Sequence, residues 1–112
     1  MLRKLQIAAL ILWLVMPAYS DATWNRVLEV KGTATKQTDL FEVKGSKWRI
    51  RWQKAQPDET VDIYIYRKDG SAESTISTNK TTSDESYVHK SGTFYLQIVA
   101  TTGYVITVED WR

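Results

Sequence analysis

A chain of 112 residues with no cysteine and a formal net charge of +2 can build one hydrophobic core but not two. It cannot staple itself with disulfides or close a cysteine-based metal site. Its charge excess is carried by Arg3 and Lys4, so the rest of the chain is neutral, against nucleic acid or an anionic membrane as the main partner.

The first 20 residues read as a Sec-type signal peptide, which leaves residues 21–112 as a single domain. Arg3 and Lys4 precede an apolar run from Leu5 to Met16, and Pro17 then breaks the helix. Ala18-Tyr19-Ser20 supplies the small residues of a cleavage site after Ser20. The apolar run is shorter than the roughly 20 residues that span a bilayer, although an uncleaved N-terminal anchor is the alternative. No cysteine is available for a lipid anchor. The expectation is an exported protein, periplasmic or secreted, of bacterial type, because eukaryotic ectodomains of this size commonly carry disulfides.

Downstream, alternation of period two dominates and no helical period persists. Residues 24–32 (WNRVLEVKG) make a first strand, with Trp24, Leu28 and Val30 on one parity. A polar stretch leads to Phe41 and Val43, and Lys44-Gly45-Ser46 forms a turn or bulge. Next, Trp48, Ile50 and Trp52 share one face while Arg49 and Arg51 take the other. Pro57-Asp58 starts a turn, and the spacing predicts an antiparallel hairpin between WRIRW and VDIYIYRK. In the second of these, Val61, Ile63 and Ile65 face inward, and Asp62, Tyr64 and Tyr66 outward.

Asp69-Gly70 closes another turn. The Ser/Thr-rich segment 71–86 predicts a short edge strand around 73–78 and an exposed loop. It contains Asn79-Lys80-Thr81, an N-glycosylation pattern best read here as polar loop. Tyr87 to Lys90 restores order before a Ser91-Gly92 turn. Phe94, Leu96 and Ile98 then face one way, and after Thr102-Gly103 so do Tyr104, Ile106 and Val108. Seven or eight strands with turn signals every eight to twelve residues indicate an all-β, antiparallel, jelly-roll-like β-sandwich or a barrel.

Ser91-Gly92-Thr93-Phe94-Tyr95-Leu96-Gln97-Ile98 resembles the G-x-[YF]-[YF]-L-x-[IV] strand of bacterial pre-peptidase C-terminal-type domains. Phe41-Glu42-Val43-Lys44-Gly45, the strand from Val61 to Gly70, and the closing strand from Tyr104 to Glu109 fit the same layout. The resemblance covers about residues 40–109 and rests on packing positions. It implies a jelly-roll-like sandwich and export, and it carries over no catalytic residue.

Catalytic chemistry has little to stand on. His89 is the sole histidine, falls on the solvent side of its strand by alternation, and has no nucleophile motif near it. The chain reads as a non-enzyme with no cofactor and no metal. Acid pairs at Asp58-Glu59 with Asp62, Asp84-Glu85 and Glu109-Asp110 offer oxygens for calcium, but no dedicated loop pattern accompanies them.

The remaining signal is a second, outward aromatic set. Tyr64, Tyr66 and Tyr95, with Arg49, Arg51, Asp62 and Gln97 at comparable positions, are expected to form one patch on a sheet face. Trp111 either packs on Trp24 or makes an exposed contact. Tyrosine and arginine suit a protein partner, in the envelope or secreted, or a carbohydrate stacked on Tyr64, Tyr66 and Trp111. A structural role without a ligand needs only cross-strand pairing.

Overall fold

A computed structural model describes residues 22–78 and 81–112. The predicted signal peptide, and Asn79 and Lys80 of the N-x-T pattern, lie outside the described residues. Nine strands follow in chain order: β1 (Trp24–Gly32), β2 (Lys36–Gln37), β3 (Phe41–Val43), β4 (Lys47–Lys54), β5 (Val61–Arg67), β6 (Ala72–Ser77), β7 (Ser83–Val88), β8 (Gly92–Ala100) and β9 (Tyr104–Trp111). Among the described residues there is no helix long and apolar enough to cross a membrane.

The strands form two antiparallel sheets. The first has the order β1-β9-β4-β7; in the second, β2 and β3 both pair with β8, followed by β5 and β6. β2 and β3 occupy successive stretches of the same β8 edge and act as one interrupted strand. Counted so, the fold is an eight-stranded jelly roll, as the alternation and turn spacing imply.

Thr38 bridges the interruption. Its backbone N–H donates to the Leu96 carbonyl at 2.9 Å, and its Oγ1 accepts from the Leu96 N–H at 2.9 Å. The ladder therefore continues through a side chain where the backbone departs from the strand.

The core between the sheets is the one the alternation selects. Trp48, Ile50, Ile63, Leu96, Ile98, Ile106 and Val108 are fully buried, with Val43, Val61, Ile65, Phe94 and Tyr104 nearly so. Phe41, Trp48 and Phe94 interlock edge-on and tilted, at 5.0–6.3 Å between centroids. Burial of each large apolar side chain contributes roughly 1.5–3 kcal/mol relative to exposure, and this replaces the missing disulfides.

Three expectations are corrected. β4 and β5 do not form a hairpin, since they lie in different sheets and the 55–60 loop crosses between them. Trp24 does not join the core: a bulge between Arg26 and Leu28 inserts one residue, which reverses the alternation and turns Trp24 outward opposite Trp111. β7 begins at Ser83, inside the stretch expected to be loop, because β4 offers it a partner over Trp48 to Gln53. Its Val88 adds to the core.

Candidate functional site

The register of the first sheet sets its outer face row by row. At one end Trp24, Trp111 and Lys47 lie side by side. Next come Arg26, Glu109, Arg49 and Tyr87, then Glu29, Thr107, Arg51 and Glu85, then Lys31, Val105, Gln53 and Ser83. Alternating charge along the strands thus becomes a lattice of alternating charge across them.

One half of this face is closed on itself. Trp24 and Trp111 pack at 4.9 Å between centroids, and Tyr87 meets Trp24 at 5.9 Å. The Lys47 ammonium sits 5.2 Å from the Trp111 ring centroid, and the Arg49 guanidinium 4.1 Å from that of Trp24, both favourable over a negative ring face. Arg49 Nε also donates to Glu109 Oε1 at 2.6 Å. Burial lowers the guanidinium pKa, but hydrogen bonds from Arg49 to Glu109 and Tyr87 and the charges of Glu109 and Glu85 outweigh it, so Arg49 stays a fixed cation. Tyr87 donates its hydroxyl to Glu85, which raises the phenol pKa above its ordinary value.

The other half is a trough. Thr107 and Val105 on β9 are short, and the longer side chains of β1, β4 and β7 rise on either side. Arg26, Glu29, Arg51, Gln53, Glu85 and Glu109 help enclose a volume of about 450 Å³. Arg51 lies 3.8 Å from Glu85 and 3.9 Å from Glu109, beyond hydrogen-bond length, and more than half of its side chain is exposed.

The second sheet carries the tyrosines. Tyr66 pairs with Tyr95, Tyr64 with Gln97 and Thr75, and Asp62 with Val99 and Ser77. The Tyr66 and Tyr95 rings stack at 5.2 Å and 20°. Among these positions Asp62 carries the sole charge. Among the described residues the hydroxyls of Tyr64, Tyr66 and Tyr95 bind no other protein group, unlike that of Tyr104, which donates to the Ala34 carbonyl at 2.8 Å.

The expected single patch is therefore divided. Tyr64, Tyr66, Tyr95, Asp62 and Gln97 come together, whereas Arg49, Arg51 and Trp111 lie on the opposite outer face, because β4 and β9 belong to the other sheet. A stacking platform of Tyr64, Tyr66 and Trp111 is not contiguous. Arg49 and Arg51 face Glu85 and Glu109 rather than Asp62. Of the two arrangements foreseen for Trp111, packing on Trp24 is the one observed. Sequence reading missed Trp24, Lys47, Tyr87 and Glu85 as members of one face. Period-two alternation marks them as outward or inward within a strand, but only strand order makes them neighbours.

The acid pairs are likewise dispersed. Glu109 points outward to Arg49, while Asp110, 1% exposed, accepts from the Lys44 and Gly45 N–H groups at 2.9 Å each. Asp84 Oδ1 accepts from the Glu85 N–H. His89 is exposed, just past the end of β7.

No family model matches the chain, and no curated protein matches it. Among solved structures it is similar to a chain from work described as "Bacillus endospore appendages form a novel family of disulfide-linked pili", at 13% identity and a TM-score of 0.36, over 82% of this chain and 93% of that one. At that score the likeness carries no argument about this chain.

Proposed function

We propose that this is a non-enzymatic, exported recognition module that binds a protein partner through the outer face of the second sheet. The observation that carries the reading is the Tyr64-Tyr66-Tyr95 surface: stacked, almost uncharged rings with uncommitted hydroxyls, bordered by Gln97 and Thr75. Tyrosine supplies large contact area with only two side-chain torsions to fix, and its free hydroxyl then finds a partner across the interface. Such a sheet face suits a protein, whereas small ligands need concavity. The leader reading and the resemblance to pre-peptidase C-terminal-type domains both support export.

The test is a pull-down from the native envelope and culture fluid with the mature protein and with Tyr64→Ala/Tyr66→Ala, after thermal melts show both to be folded. Capture of a partner by wild type and its loss, by about tenfold or more, in the variant supports the reading. Equal capture by both moves the site off this face. Failure of either to capture a partner, with a lower melting temperature in the variant, makes the tyrosines sheet architecture.

A further inference from the structure

The trough on the first sheet has no part in the tyrosine face and lies on the other side of the sandwich. We propose that it is a carbohydrate site, and that its occupant is a neutral oligosaccharide.

The trough exists because β9 places Thr107 and Val105 between longer side chains on both flanks. Its volume of about 450 Å³ falls within the roughly 300–1,000 Å³ typical of small-ligand sites. It opens along the sheet surface, so an extended chain can lie in it without threading into the protein.

Glu29 and Glu85 offer acceptors from opposite flanks, Arg51 offers guanidinium donors, and Gln53 offers both kinds. A pair of neighbouring hydroxyls both donates and accepts, and so satisfies a carboxylate and a guanidinium together. Arg51 is available for this because its carboxylate neighbours stand 3.8 and 3.9 Å away. Arg49 is not, because Glu109 holds it at 2.6 Å. This contrast separates the groups that shape the face from those free to bind.

Tyr87 stands in the row next to the trough, beyond the residues that line it. Tyr87 is 46% exposed, and its hydroxyl is fixed by the same Glu85 that lines the trough. A held, partly exposed ring next to hydroxyl-binding groups suits the stacking of a sugar ring that extends past the trough.

Charge selects the ligand within the class. Glu29, Asp84, Glu85 and Glu109 line the trough against Arg26 and Arg51. The excess of carboxylate repels uronic or sialic acids and phosphorylated glycans and leaves neutral sugars favoured.

The experiment is an NMR titration of the isotope-labelled mature protein with neutral hexasaccharides (gluco-, manno-, xylo- and N-acetylglucosamine-based) and with an oligouronate of equal length. At least one neutral chain is expected to shift the signals of the Arg51 Nε–H, the Gln53 side-chain amide, Thr107 and Tyr87, leaving Tyr64 and Tyr66 unmoved. Arg51→Ala and Tyr87→Ala, at exposed positions, should each weaken that binding by about tenfold with the spectrum otherwise intact. Tyr64→Ala/Tyr66→Ala should bind sugar as wild type does, which separates this proposal from the protein-binding face. Absence of shifts with every neutral chain at millimolar concentration overturns the proposal. So does preference for the oligouronate, or shifts centred on the tyrosine face.

Discussion

Asp110 and Gly45 show how one buried carboxylate organises the end of the sandwich. Asp110 has its two oxygens filled by the Lys44 and Gly45 N–H groups, with Arg112 at 3.5 Å. The turn before β4 is thereby tied to the last strand. Gly45 must lack a side chain there, since a Cβ would sit 1.8 Å from the Trp111 carbonyl oxygen and 2.7 Å from Asp110 Oδ1. Gly45→Ala should lower stability by about 3 kcal/mol or more through that overlap, and Asp110→Ala by about 2–4 kcal/mol through two orphaned N–H groups; urea unfolding of the purified domain checks both. Unchanged midpoints would mean that the turn is not clamped.

Asp69 gives a pH-dependent counterpart. Its Oδ1 accepts from the Ser71 Oγ at 2.6 Å and from the Ser71 N–H at 2.9 Å, and these bonds lower its pKa below the ordinary 3.8. Because the folded value is depressed, the turn's stabilisation is present above the ordinary carboxylate value and disappears as pH falls through the folded one. A carboxyl-detected NMR titration should find Asp69 titrating below the ordinary aspartate value, and Ser71→Ala should return it toward that value.

Strands and their irregularities decide what the outer faces present. Thr38 carries the ladder across the gap between β2 and β3, so Thr38→Val, close in shape but without the acceptor, leaves the buried Leu96 N–H unpaired. The expected cost is about 1–3 kcal/mol, with faster hydrogen exchange at Leu96 as the local readout. The bulge in β1 has the opposite character, since it creates a neighbourhood. Without the extra residue Trp24 would face inward, and Trp111, Lys47 and Arg49 would lose the ring they pack against. No residue between Arg26 and Leu28 announces this in the sequence. Val27 is an ordinary strand residue, and the bulge arises from the mismatch between β1 and a regular β9. The alternations of β4, β5, β8 and β9 were by contrast fully readable, because each of those strands is regular and buries one face.

Across the whole molecule, the jelly-roll winding joins distant parts of the chain. Among the described strand pairings, β5 with β6 alone links consecutive strands, whereas β1 must find β9, and β4 must find β7 and β9. Loop closure therefore precedes most of the stabilising contacts. Refolding should take milliseconds to seconds, in the range of other non-local β-sandwiches, as followed by stopped-flow fluorescence of the buried Trp48 and Trp52. Microsecond folding would contradict the topology.

The same winding gives the molecule two unlike outer surfaces, a tyrosine face and a charged trough, on opposite sides of the sandwich. The all-β class and the inward sets of β3, β4, β5, β8 and β9 were already dictated along the chain, because period-two alternation is a local property of neighbouring residues and burial rewards it wherever a strand is regular. Which outward side chains share a face was not. Tyr64 and Arg49 each point outward between two buried apolar neighbours in their own strands, yet they end on opposite sides of the sandwich. Their strands are placed by long-range packing of two sheets, and alternation carries no information about which sheet a strand joins.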